Sequence, residues 1–301
     1  HIVTSFGIAG IDSFPVRAEV NVSFGMPAFE IVGLPDATVR ESRERVKAAI
    51  LNSGYKMPEE RITVNLAPAD RKKEGPSFDL PIAVGLLACK RDIPGAALAG
   101  VAFVGELSLN GAIQPVRGVL PMVLAARALG LSAIVLPQAN AMEVRCVDGI
   151  AILPAGNLEQ VVAHLSGKRP IEPLVPVPYN QLMAQRTPSA DFMHVKGQKA
   201  AKRALEIAAA GGHNVLMVGP PGSGKSMLAK RLPGLLPDMS REETMESTGI
   251  WSVCGLTDEK RPILRQRPFR APHHTLSAAA MAGGAQLQPG EVSLAHQGVL
   301  F

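Results

Sequence analysis

The residues best suited to chemistry lie at 219–226, where Gly219-Pro220-Pro221-Gly222-Ser223-Gly224-Lys225-Ser226 fills GxxxxGK[ST] at every fixed position. Glycines let successive backbone N–H groups turn toward phosphate oxygens, and the helix that follows adds its dipole. Lys225 then reaches the β- and γ-phosphates, and the Ser226 hydroxyl is placed to hold Mg2+. ATP and Mg2+ are the expected ligands. The apolar run Asn214–Val218 (NVLMV) reads as a strand leading in, and Met227–Leu232 as the helix leading out. A glycine-rich turn matching by accident is the bland alternative, and both flanks weigh against it.

Upstream, Val195-Lys196-Gly197-Gln198 precedes a run of alanines and basic residues that reads as a helix over 199–210. The tetrapeptide resembles the adenine-side segment of AAA+ ATPases, which lies shortly before the P-loop. That resemblance makes Val195, Gly197 and Gln198 nucleotide-contacting candidates. A P-loop ATPase also needs a strand ending in acidic residues that hold Mg2+ through water and activate the attacking water. Gly298–Phe301 (GVLF) reads as the start of that strand, with its carboxylates, the sensors and the arginine finger expected beyond Phe301. The residues at hand are therefore expected to bind ATP without supplying the groups that hydrolyse it.

The segments Arg267-Pro-Phe-Arg270-Ala-Pro-His273-His274-Thr-Leu-Ser277 and Gly290-Glu-Val-Ser-Leu-Ala-His296-Gln-Gly-Val-Leu-Phe301 are distinctive. With Val32-Gly-Leu-Pro-Asp-Ala-Thr-Val39, Asn52-Ser-Gly-Tyr55 and Asn65-Leu-Ala-Pro-Ala-Asp70, the chain resembles the magnesium-chelatase-like AAA+ proteins of the ComM/YifB family. The resemblance implies an α+β, Lon-protease-like domain of ribosomal S5 domain 2 type, followed by an α/β P-loop AAA+ domain. It also implies a cytoplasmic homo-hexamer acting on DNA without sequence preference, as a helicase for branch migration in natural transformation and recombination. A chelatase subunit that inserts metal into a porphyrin matches only the AAA+ half. That weighs against the metal-insertion ATPase, which stands as the lesser alternative.

A second alternative is a Lon-like serine peptidase. Glu74-Gly-Pro-Ser77-Phe-Asp79 resembles the Lon nucleophile segment, with Ser77 at the nucleophile position. Serine needs an adjacent base, supplied in Lon by a lysine of lowered pKa. The position matching that lysine is Leu120, and Arg117 stays protonated and cannot replace a base. Lys72 and Lys73 are the local candidates. Without a base, Ser77 reads as a cap or entry residue for the helix beginning at Asp79.

The basic cluster Lys260, Arg261, Arg265, Arg267 and Arg270 has no acidic residue within 260–290. One reading is a DNA-facing insert, in which Arg265, Arg267, Arg270, His273 and His274 approach phosphates. A solvated face or a subunit interface accounts for the same charges equally well. Only Trp251, Phe269, His273 and His274 are nearby for base stacking, so the DNA contact is expected to ignore sequence. Adjacent His273 and His274 lack a third ligand at metal spacing.

The elements that must hold these residues follow from the rest of the chain. Its 301 residues suit two domains and include no run of 18 apolar residues. Residues 1–20 show no secretory signal pattern. Cys89, Cys146 and Cys254, with no CxxC spacing, read as thiols of a reducing compartment. Residues 1–184 carry 17 basic and 17 acidic side chains, whereas 185–301 carry 14 and 9, so the whole excess of +5 lies in the second part. That asymmetry points to an anionic partner for the second part.

Residues 168–188 carry five prolines and read as a semi-rigid connector between a domain over 1–167 and one over 189–301. In the first, strands are expected over 16–23, 30–33, 62–66, 102–109 and 133–136. Helices are expected over 37–52 (capped by Asp36), 79–90, 118–129 and 157–166. Asn110-Gly111 signals a type I′ hairpin. Mixed elements with hairpins predict an α+β sandwich rather than a doubly wound sheet. Arg40, Arg43, Arg45 and Lys47, alternating with Glu41 and Glu44, read as an exposed helix face with intrahelical pairs.

Overall fold

A computed structural model describes residues 1–184, 191–258, 260–284 and 287–301. The chain divides into two compact units: His1–Val177 with Ser252–Pro262, and Pro178–Trp251 with Ile263–Phe301.

The first unit is built on a seven-stranded sheet. Its strands are β1 (Ile2–Ala9), β2 (Asp12–Ser23), β3 (Ala28–Val32), β4 (Arg61–Ala67), β5 (Val101–Phe103), β8 (Ala133–Pro137) and β9 (Ala151–Ala155), with β6 (Glu106–Leu107) and β7 (Ile113–Gln114) forming a separate hairpin. The order is β3-β4-β2-β1-β5-β8-β9. β2 pairs antiparallel with β1 and β4, and every other neighbouring pair is parallel. The unit is thus mixed α/β around one mostly parallel sheet: the expected hairpins are present, but parallel pairs outnumber antiparallel ones, which the sequence did not foretell. The hairpin of β1 and β2 carries the half-buried alternation that dominates the sequence pattern. β8, buried at all five positions, shows the continuous apolar run of a parallel strand covered on both faces. The expected strand over 102–109 is two short pieces, β5 and β6, in different sheets.

The helices of this unit are α1 (Ala37–Asn52), α2 (Asp79–Cys89), α3 (Val119–Ala128) and α4 (Leu158–Leu165). Asp36 caps α1 by accepting from the Val39 N–H at 2.8 Å, and Asn157 caps α4 through the Gln160 N–H at 2.9 Å. α2 is buried from Asp79 to Ala88, so its uniformly apolar sequence is that of a central helix. Asp79 is fully buried at its start. It accepts from Arg45 Nε and Nη2 at 2.6 and 3.0 Å, from the Leu107 N–H at 3.2 Å, and from the Ser42 hydroxyl. Arg45 therefore turns inward to a buried carboxylate, and its intrahelical contact with Glu41 is a marginal 3.9 Å.

The hairpin at Asn110-Gly111 forms, but not as a type I′ turn. Gly111 donates to Ser108 O at 2.9 Å and only Gly111 of the two has positive φ, +84°. That is a type I turn closed by a glycine bulge, a three-residue hairpin loop. The Asn110 side chain fixes it by accepting from Ser108 Oγ at 2.7 Å and the Ala112 N–H at 3.1 Å.

The proline-rich connector lies on the first unit as a strap. Ile171 N–H donates to His164 Nδ1 at 3.0 Å, Leu174 N–H to Ile152 O at 2.8 Å, and Val177 N–H to Arg145 O at 2.8 Å. Ile152 belongs to β9, the edge strand, and Pro173 and Pro176 have no N–H to offer a further strand. The strap thus blunts one edge of the sheet. Burial holds His164 below its usual range, consistent with a neutral ring accepting at Nδ1. Over Tyr179–Ala184 the connector forms a helix, α5, where none was expected, and its last residues, 185–188, lie outside the described residues.

In the second unit follow α6 (Lys199–Gly211), α7 (Lys225–Ala229), α8 (Arg241–Val253), α9 (Ala278–Ala282) and α10 (Glu291–Leu294), with α8 running into the first unit. β10 (Phe269–Arg270) and β11 (Val299–Leu300) pair in parallel. The expected strand at 214–218 does not form. Leu216 and Val218 are about nine-tenths exposed, at 89% and 88%, and the stretch has no ladder partner among the described residues. An apolar run becomes a strand only when a neighbour accepts its hydrogen bonds.

Candidate functional site

The glycine-rich loop turns between the extended run ending at Val218 and α7, which begins at Lys225. Gly222 and Gly224 have φ of +80° and +88°, conformations that L side chains rarely adopt. These two left-handed steps bring the loop around. Lys225 Nζ arches back over it, donating to Gly219 O at 2.7 Å and Pro220 O at 2.9 Å, with Ser223 Oγ at 3.3 Å. Ser226, in the first turn of α7, is exposed. Pro220 and Pro221 are exposed on the outer turn.

The upstream tetrapeptide is joined to this loop. Gly197 and Gln198 both lie in the left-handed region, with φ of +70° and +53°, and turn the chain into α6. Gln198 Nε2 donates to Ser223 O at 3.2 Å across 25 residues of sequence. Val195 is buried with Phe192, Leu205 and Leu228 in a small core, and Leu228 belongs to α7. Lys202 Nζ, one turn into α6, donates to Val195 O. Sequence reasoning did not single out Lys202. The signal was present: Lys199, Lys202 and Arg203 crowd a helix N-terminus, where the dipole disfavours cations, so another acceptor must hold at least one of them.

The five DNA-facing candidates divide. Arg267 is largely buried, donating to Pro237 O at 2.6 Å, Gln297 O at 2.8 Å and Glu243 Oε2 at 3.0 Å. Arg270 pairs with Glu291 through two bonds and lies 5.7 Å from the centre of the Trp251 ring. The Arg270 guanidinium holds the Glu291 carboxyl below the usual carboxylate range. Glu243 is likewise held down, first by the Ser240 N–H and then by Arg267. Arg265 also has its interactions within the fold. His273 and His274 are exposed, with rings 4.2 Å apart, and Thr275 Oγ1 lies 2.8 Å from His273 Nδ1. No cluster of three metal-ligating side chains occurs among the described residues.

Ser77 sits in a buried single turn over Pro76–Phe78, and its carbonyl accepts the Gly105 N–H at 3.0 Å. It is an entry residue rather than a cap, because no side chain caps α2. Leu120 is fully buried in α3. Lys72 pairs with Glu74 at 2.7 Å. Lys73 is buried with Nζ on the carbonyls of Pro68 and Arg71, and burial lowers its pKa. Neither lysine makes a hydrogen bond to Ser77. Beside α3, the buried carboxyl of Glu143 accepts the Leu120 N–H at 3.2 Å and Asn140 Nδ2 at 3.4 Å, and burial raises its pKa.

A loop of this form, presenting a lysine and a helix-leading serine, defines a P-loop protein. Residues 191–301 match the family described as magnesium chelatase, subunit ChlI, and residues 18–140 match subunit ChlI of Mg-chelatase, so the likeness to chelatase is not confined to the AAA+ half as expected from the sequence. The whole chain is 47% identical over 301 residues to the protein YifB of Salmonella typhimurium. It is 44% identical over 303 residues to competence protein ComM of Haemophilus influenzae. The chain spans 58% and 59% of the lengths of those two relatives. About half of it, 52%, is 27% identical over 163 residues to Lon protease 2 of Bacillus subtilis, covering 29% of that enzyme. The chain thus resembles YifB and ComM along its whole length and the magnesium-chelatase family models over most of it. No helix among the described residues is long and apolar enough to cross a membrane.

Proposed function

We propose that the second unit binds Mg-ATP at residues 219–226, and that the full-length protein is an ATPase motor that remodels DNA. The observation that carries the nucleotide reading is the joining of Gln198 to the P-loop at Ser223. Two separately recognised elements thereby become one site. The groups present fit a triphosphate and its metal: a glycine loop with two left-handed steps, the ammonium of Lys225 and the hydroxyl of Ser226. Mg-ATP, when bound, supplies the phosphoryl transfer that drives the motor. Lys225, whose ammonium lies on the carbonyls of Gly219 and Pro220, would hold phosphate oxygens, and the Ser226 hydroxyl would hold the metal. The family resemblance of the sequence motifs implies DNA as the substrate and a hexameric, cytoplasmic assembly as the working form, and a competence protein stands among the relatives. The DNA-facing surface is the exposed His273–His274 turn, with Arg267 and Arg270 supporting it through their ion pairs.

The first unit serves this motor as a Lon-like scaffold of ribosomal S5 type without peptidase activity, since Ser77 has neither lysine as a hydrogen-bond partner. The test is branch migration by full-length protein. Lys225→Ala should abolish the ATP-stimulated rate, and a retained rate overturns the assignment to this loop.

A further inference from the structure

Gln198 is one of three described non-glycine residues of the second unit with positive φ, alongside Leu287 and Gln297. It adopts φ +53° and ψ +36°, a left-handed conformation sparsely used by residues other than glycine and asparagine. Such a conformation persists where surrounding structure holds it in place, and here three contacts do so. The Gln198 carbonyl accepts the Lys202 N–H at 2.9 Å, which starts α6. Lys202 Nζ ties back to Val195 O, and Phe192, Val195, Leu205 and Leu228 pack α6 against α7. With its backbone fixed, the side chain reaches Ser223 O.

The consequence lies in the peptide unit that Ser223 O belongs to. A planar trans peptide sets the C=O of Ser223 and the N–H of Gly224 in opposite directions. Gly224 is flexible enough for that unit to rotate, because glycine tolerates both signs of φ. A donor on Ser223 O therefore fixes where the Gly224 N–H points. Ser223 is held on its other side as well, by its N–H on Pro220 O at 3.3 Å and by Lys225 at its hydroxyl.

We infer that Gln198 is a positioning residue for the phosphate cradle: by holding Ser223 O it aims the Gly224 N–H into the loop, acting on the phosphates rather than on the base. This inference rests on the nucleotide reading of residues 219–226. It also assigns Gln198 a task different from contact with the nucleoside.

The test is calorimetric titration of this chain with Mg-ATP and with Mg-tripolyphosphate, which has the phosphates but no nucleoside. Gln198→Glu keeps the size of the side chain but replaces the donor with an acceptor. Gln198→Gly removes the side chain and relaxes the backbone. Both variants should bind ATP about three- to tenfold more weakly, the range of one solvent-exposed hydrogen bond, with the same factor for tripolyphosphate. Thermal melts should confirm that both are folded. If the wild type binds ATP and Gln198→Gly binds it equally well, the side chain does no positioning and the inference fails alone. Weakening confined to ATP makes Gln198 a nucleoside contact and also overturns it. A folded wild type that binds neither ligand overturns the nucleotide reading itself, and this inference with it.

Discussion

Arg270 holds Glu291 through two parallel bonds of 2.6 Å, Nε to Oε2 and Nη2 to Oε1. Paired charge-assisted bonds of this length, on side chains 28% and 18% exposed, belong to the architecture of the second unit. Arg270→Ala should therefore cost about 1–3 kcal/mol of stability in a denaturant melt. His273→Ala with His274→Ala should stay within about 0.5 kcal/mol of wild type, as surface changes do. In DNA titrations of full-length protein the order should reverse, with the histidine pair weakening binding while the fold is intact. A histidine variant with unchanged DNA affinity moves the DNA surface elsewhere.

The Arg45–Asp79 contact makes a second prediction. Asp79 is fully buried, so removing the guanidinium strands a carboxylate. Arg45→Met should destabilise the first unit by about 3 kcal/mol. Adding Asp79→Asn should recover part of that loss, because the stranded charge is gone. A double variant less stable than Arg45→Met would contradict this account.

Glu143 gives the pH dependence. Burial raises its folded pKa above the unfolded value, so its contribution is fully present below the unfolded pKa, about 4.3. That contribution is lost as pH rises through the raised folded value. Asp79 is shifted in the same direction by burial, so only a comparison isolates Glu143. The melting temperature of Glu143→Gln minus that of wild type should grow between pH 4 and pH 8. Each kcal/mol gained corresponds to about 2–4 °C. A difference constant with pH would show that Glu143 does not titrate in this range.

Ser77 supplies a negative control with chemical content. Purified full-length protein should cleave an unfolded polypeptide no faster than its Ser77→Ala variant, with or without ATP. Cleavage lost in the variant would make Ser77 a nucleophile and restore the peptidase alternative.

Local signals carried far. Asp36 before α1 is a cap that acts within three residues, so composition at that position was sufficient; Asn157, expected as the first residue of its helix, proves to be the cap of α4. The GxxxxGK[ST] loop was legible for the same reason, since its backbone conformation depends on its own glycines. Strand direction was not legible. Whether β8 lies parallel to β5 depends on the chain between them, and alternation in β2 says nothing about it. Nor could the sequence show that the apolar run 214–218 has no ladder partner among the described residues, since a strand requires a partner. Charge was the most misleading cue. Arg45, Arg267 and Arg270 read as solvent- or phosphate-facing, yet each meets an acid at least 20 positions away. Pairing between distant residues is set when elements pack. The sequence determined which groups could bind phosphate; only the tertiary structure decided which cations remained to do it.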